Sequence, residues 1–375
     1  MVPNDNRLNR LDTVDDRIEV GVSEALQKHV TRHVVPPPPV SQKKLDFEHR
    51  RPRILREMMG EATGVFFYVF PGIASVATFT LATTNGTGAL LGVAAFGGIY
   101  QIGIAFGFGI AFAIITCASV SGGHFNPAIT ICFALFGGFP WKKVPIYIFS
   151  QIFGAFMAGL VLMGCYWPEI QAAKAIDIHE HGTAVYNGGV ASIFCTFPNP
   201  NQTNQGYLFL QEWFVDAFIG VVIWSCLDPA NPFVTPVSVP WTIGFAYTAM
   251  IVGFAANSIS TNLARDLGTR IVAAIFFGGE AFSFNHGYSW ISILVNIPAT
   301  IFAVCYYELL IRDSLQNIHK GHAEHEHGEE GLVRHLTRVA TSDVGIINGA
   351  VKTNGITDSP NAAYSNGTAK REDVV

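Results

Sequence analysis

Six apolar stretches constrain this chain more than any other feature: near residues 61–82, 98–118, 144–166, 208–227, 239–257 and 290–310, each is about long enough to cross a bilayer core. Two further apolar stretches, near 127–136 and 263–279, do not fit a full crossing, and each follows an Asn-containing turn. They read as re-entrant half-helices, since irregular backbone at that depth survives only where protein or a water-filled cavity satisfies it. The expected fold is an all-α integral membrane protein with six transmembrane helices and two re-entrant half-helices. Composition agrees: 14% of the 375 residues are charged, against roughly a quarter in a soluble domain. A net charge of −5 points to no nucleic-acid partner. The six Cys show neither metal-ligand spacing nor a secreted disulfide framework and read as small buried hydrophobes.

Three parts follow: a polar tail over 1–52, a membrane domain over 53–312, and a second polar tail over 313–375. Both tails are expected to be disordered. The first carries the run Pro36 to Pro39, which suits a stiff spacer, and the second carries His319, His322, His325, His327 and His335. Residues 1–25 hold no basic-then-apolar leader, so the first span is expected to direct insertion. Lys43, Lys44, Arg50, Arg51, Arg53 and Arg56 precede the first span, Lys142 and Lys143 precede the third, and Arg312 follows the sixth. The stretch 83–97 has no Lys or Arg, and 167–206 has only Lys174. Basic residues favour the cytoplasmic side, so both termini are expected there.

The membrane domain repeats itself, with halves at about 56–166 and 207–312. Glu61 opens the first span and Glu212 the fourth, and each half then holds a short apolar helix led by Asn, at 126 and at 262. Three spans per half is an odd number, so the second half is inverted. Such inverted repeats place their site near the midplane, at half-helix N-termini. Asn126-Pro127-Ala128 reads as an Asn cap followed by Pro at the first helical position, where the missing N–H is no loss. Asn262-Leu263-Ala264 is the second copy. Brought tip to tip, the two carboxamides can donate to one passing oxygen, while both helix dipoles present positive ends that repel cations. A water chain broken at that point conducts no protons. Arg265, three residues on, adds a fork of donors and a further barrier to cations.

These paired motifs, with Glu61, Glu212, Gln151 and His124, resemble the major intrinsic protein family, the aquaporins and aquaglyceroporins, over about 56–312. The resemblance implies an aquaporin-like channel domain with an hourglass pore in each protomer, a homotetramer, and a place in the plasma membrane. It implies that Glu61 and Glu212 accept hydrogen bonds from the re-entrant loops and that His124 makes a loop contact near the cytoplasmic mouth. Leu263 departs from the family's usual Pro, as in some fungal aquaglyceroporins. By motif spacing, Phe106, Ile259 and Arg265 match three positions of the family's selectivity filter, and Met250 or Ile251 supplies the fourth on span five. Neither is the His usual in water-selective members. Asp266 and Arg270 resemble the glycerol-passing branch, whereas Leu294 stands where that branch usually has Pro. The expected partners are therefore glycerol and water, small uncharged solutes, together with the lipid bilayer, and no cofactor is expected.

A water-selective channel is the nearest alternative. An ion-coupled transporter would need a carboxylate near the midplane, for which Glu61, Glu212 and Asp216 are the candidates. An enzyme would need a converging nucleophile, base or metal cluster, and no such spacing occurs. A non-conducting junction or adhesion protein would differ in permeability alone. Asn85 and Asn201 head possible glycosylation sequons on the expected outer side; Asn366 heads one in the tail.

Overall fold

The structure is a computed structural model that describes residues 39–84, 97–202 and 204–351. It divides into two units, Met1–Arg56 and Glu57–Val375. In the first, α1 (Gln42–Arg50) starts at Ser41, whose Oγ accepts from the Lys44 amide, and Arg51 lies over the Phe47 ring at 5.8 Å.

Among the described residues, six helices are long and apolar enough to cross a membrane. They are α2 (Arg53–Thr84), α3 (Ile99–Ser121), α5 (Val144–Cys165), α7 (Gln205–Cys226), α8 (Val239–Phe254), and a composite of α11 (Ser289–Leu294), α12 (Asn296–Tyr306) and the π-helical turn Tyr307–Ile311. The two short apolar stretches form α4 (Pro127–Phe136) and α9 (Leu263–Phe277). The chain bends by 109° between α9 and α10 (Glu280–Gly287). Between spans three and four, α6 (Trp167–His181) leads into an irregular segment with buried Phe194 and Phe197.

Helices in lipid gain little from hydrophobic exclusion, so close packing through small residues carries the association. An added Cβ at Gly107 would press on the backbone of Gly244, and the reverse holds too, which lets α3 and α8 touch backbone to backbone. Thr248 Oγ1 on α8 donates to the Gly103 carbonyl at 3.0 Å across the same seam. Pro71 inside α2 removes the N–H that would bond the Phe67 carbonyl four residues back. Gly109 of α3 packs at that spot: a Cβ there would sit 2.8 Å from both the Phe67 and Tyr68 carbonyl oxygens.

Beyond Arg312, where irregular chain is expected, the structure has α13 (Ser314–His319) and α14 (Gly328–Val351). The reason for the first is local pinning. Asp228, between α7 and α8, accepts from Asn317 Nδ2 at 3.1 Å and from the Tyr307 hydroxyl at 3.0 Å, and Lys320 Nζ donates to the Ala230 carbonyl at 2.9 Å. Likewise α1 lies within the expected N-terminal tail. Residues 36–38 of the Pro run, Asn85 and Asn366 lie outside the described residues, as does Thr203 of the Asn201 sequon; Asn201 itself is exposed.

Candidate functional site

Both half-helices start with the same device. Asn126 has extended backbone and its Oδ1 accepts from the Ala128 amide at 2.9 Å. Asn262 is also extended, and its Oδ1 accepts from the amides of Ala264 at 2.9 Å and Arg265 at 3.2 Å. The capping therefore survives the change from Pro127 to Leu263, because it depends on the Asn oxygen and not on the following ring.

The other end of each carboxamide crosses to the opposite half. Asn126 Nδ2 donates to the Thr261 carbonyl at 3.3 Å, and Asn262 Nδ2 donates to the Phe125 carbonyl at 2.8 Å. Those carbonyls belong to the residues immediately before each Asn, so the two loops exchange equivalent bonds about a pseudo-two-fold axis. Each Nδ2 has two hydrogens, and this exchange uses one. Phe125 and Thr261 have positive φ, 48° and 63°. This conformation is costly for a β-branched residue, by about 1–3 kcal/mol, and persists only where surroundings over-determine it.

The two buried glutamates supply those surroundings. Glu61 accepts from the amides of His124 (3.1 Å) and Phe125 (2.8 Å), from Ser121 Oγ (2.6 Å) and from Gln151 Nε2 (2.7 Å). Glu212 accepts from the amides of Ser260 (2.9 Å) and Thr261 (2.7 Å). Turning these amides toward a carboxylate turns the next carbonyl and Asn the other way. Gln151 also donates to Thr130 Oγ1 at 2.9 Å, and His124 Nδ1 lies 3.2 Å from that same hydroxyl. The His124 ring stacks on Phe133 at 4.5 Å, a buried loop contact.

Two cavities flank this junction. The first, about 240 Å³, is lined by Phe106, Ile251, Ile259 and Arg265, together with Thr261 and with Thr196 and Phe197 of the irregular segment. The second, about 220 Å³, is lined by Asn126, Asn262, His124, Tyr247 and apolar side chains from α3, α7 and α8. Of the two span-five candidates, Ile251 lines the first cavity and Met250 does not. Arg265 is buried with its Cζ 5.4 Å from the Phe106 ring centre, and its Nη1 donates to Asp266 Oδ1 at 3.2 Å. Asp266 in turn binds Arg270 Nε at 2.7 Å and accepts from the amide and hydroxyl of Thr196 and from Ser292 Oγ. This network ties the irregular segment to α9 and leaves part of the Arg265 fork facing the cavity. Leu294 is half exposed and lines neither cavity.

Residues absent from the sequence reading also stand here. Thr261 and Phe125 act through backbone carbonyls, which no residue type announces. Asn296, whose Nδ2 donates to Thr261 O at 3.1 Å, is an isolated polar residue in span six. Tyr68 had a legible signal, because it lies two helical turns after Glu61 on the same face of α2.

The sequence matches the family profile described as Major intrinsic protein over residues 48–307. The chain belongs to the major intrinsic protein family. Among relatives within it, aquaporin-3 of Laccaria bicolor is 39% identical over 273 residues, covering 72% of this chain and 80% of that one. Aquaglyceroporin-2 of Rhizophagus irregularis is 32% identical, covering 72% and 82%. The aquaglyceroporin of Plasmodium falciparum superposes with a TM-score of 0.58 over 71% of this chain and 99% of its own, at 22% identity, and so shares the fold. Membership of this family makes the protein an integral membrane channel and not an enzyme.

Proposed function

We propose that the protein is a passive channel passing glycerol together with water and excluding protons and other ions. The observation that carries this reading is the first cavity, whose lining combines the apolar side chains of Phe106, Ile251 and Ile259 with the Arg265 fork. A polyol lays its carbons on such side chains and offers its hydroxyls to the donors. The paired Asn126 and Asn262 then serve as the central donors, and the half-helix N-termini with Arg265 supply the field against cations. Glu61, Glu212, His124, Gln151 and Asp266 are structural polar groups that hold the loops. The aquaglyceroporin names of two relatives from different organisms support the same solute class.

The working limits of the channel domain are 53–312, between cytoplasmic tails. Large exposed side chains on the spans, including Phe149, Phe153, Phe214 and Phe218, call for lipid or neighbouring protomers, in keeping with a homotetramer in the plasma membrane. Stopped-flow permeability of proteoliposomes against protein-free liposomes tests the reading. Fast glycerol and water entry is expected, with no proton leak. Fast water entry with glycerol at background replaces the reading with a water-selective channel.

A further inference from the structure

We infer that Tyr68 is the septum between the two cavities and sets the ratio of glycerol to water passage there; this rests on the channel reading above. Among the described residues, Tyr68 alone lines both cavities. A solute leaving the ring of Phe106, Ile251, Ile259 and Arg265 for the Asn126–Asn262 junction therefore meets its side chain. The ring is 3% exposed and sits in an aromatic row, 5.8 Å from Phe106 on one side and 6.0 Å from Tyr247 on the other. Thr261, which hydrogen-bonds the Tyr68 side chain, shares the lining of the first cavity, and the two carboxamides share that of the second.

The repeat separates this position from mere packing. Two turns after Glu61 comes Tyr68, whereas two turns after Glu212 comes Ile219, which is equally buried. The scaffold thus accepts an aliphatic side chain at the equivalent point, and the aromatic ring is particular to one half. The local backbone also suits a side chain that must yield. Pro71 leaves the Phe67 carbonyl, one residue before Tyr68, without its helical N–H. Gly72 provides the room that the Phe106 ring occupies, since a Cβ there would overlap it. Phe106 is thereby held while Tyr68 is the element between chambers. Solute passage then requires the Tyr68 ring to rotate aside, which a three-carbon polyol demands more than water does.

The test compares glycerol and water permeability of reconstituted unmodified protein, Tyr68→Leu and Tyr68→Phe, each checked for insertion and thermal unfolding. Tyr68→Leu joins the two cavities, and the glycerol-to-water ratio should rise about ten-fold, at the low end of what small differences in fit discriminate. Tyr68→Phe keeps the ring, so its ratio should stay within about two-fold of the unmodified protein. A correctly inserted Tyr68→Leu with an unchanged ratio overturns the inference, as does a Tyr68→Phe ratio that moves as far as that of Tyr68→Leu. Should Tyr68→Leu not insert, Tyr68→Met is read by the same criterion. Background permeability of the unmodified protein to both solutes overturns the channel reading itself, a result distinct from either.

Discussion

Glu61 and Glu212 hold equivalent loops in the two halves, yet they are supported differently. Glu61 takes two backbone amides, a serine hydroxyl and the Gln151 carboxamide. Glu212 takes backbone amides from two residues, and its neighbour four positions on is Asp216, where the first half has Val65. Both Asp216 oxygens are buried with the Asn296 carboxamide beside them but no hydrogen bond of good geometry among the described residues, and Asn296 Oδ1 is unpaired as well. The first half therefore gathers more donors on its carboxylate, with only Gln151 Oε1 of that cluster buried and unpaired among the described residues, and the second is held more by the Asp266–Arg270 network on its outer side. Both reach the same Asn geometry, so the scaffold tolerates different means of support provided each loop's amides meet a carboxylate.

The largest expected effect treats the halves as equals. Asn126→Leu and Asn262→Leu should each reduce solute flux to the level of protein-free liposomes while the protein still inserts. Retained flux in one of them would mean the junction is one-sided. Stability should then separate the halves. Glu61→Ala strands more donors than Glu212→Ala, each worth about 1–3 kcal/mol when buried and unmet. Thermal unfolding in detergent should show the greater loss for Glu61→Ala, and equal losses would erase the contrast.

A smaller effect of opposite sign is expected at Asp216. Replacing it with Val, the residue of the first half, removes a poorly satisfied buried polar group and should leave stability unchanged or raise it by about 1–3 kcal/mol, with flux intact. Abolished flux through well-folded Asp216→Val would instead give that carboxylate a part in transport and revive ion coupling. The smallest effect lies outside the spans. Burial pushes the Asp228 carboxyl up, but the Ala230 amide, Asn317, Tyr307 and the Arg312 charge outweigh it and hold the group below its ordinary 3.8. An acid depressed on folding contributes stability above its unfolded value, and loses that contribution as pH falls through the folded value. Protection of residues 314–320 from proteolysis should be constant from neutral pH down to about the unfolded value near 3.9, and decline only below it. Asp228→Asn should weaken that protection at neutral pH.

Much of this was legible in the sequence, for physical reasons. Hydrocarbon thickness fixes span length, so the six spans and two half-helices stand within a few residues of their apolar windows, the first extending back to Arg53. Asn126 and Asn262 announced themselves as caps, and motif spacing located Phe106, Ile259 and Arg265 in one cavity. The choice between Met250 and Ile251 was not legible, because one residue of loop length rotates the helical face by about 100° and sequence spacing does not resolve it. Nor was the helix α13 beyond Arg312, since its order comes from Asp228 almost ninety residues away. Asn296 was missed because a single amide in an apolar helix carries no pattern.

The exchanged Asn bonds also constrain biogenesis. The first loop offers the Phe125 carbonyl to a side chain 137 residues later, and Asn126 donates to a carbonyl 135 residues later. At about 5–20 residues per second, the ribosome supplies those partners roughly 7–27 s after the first loop emerges. During that interval Glu61 and Gln151 can already hold the loop, but its carboxamide has no partner from the opposite half. The first half thus enters the bilayer with an unfinished centre, and a translation stall near residue 200 would leave a polar tip that invites the insertion machinery or a quality-control factor to remain bound.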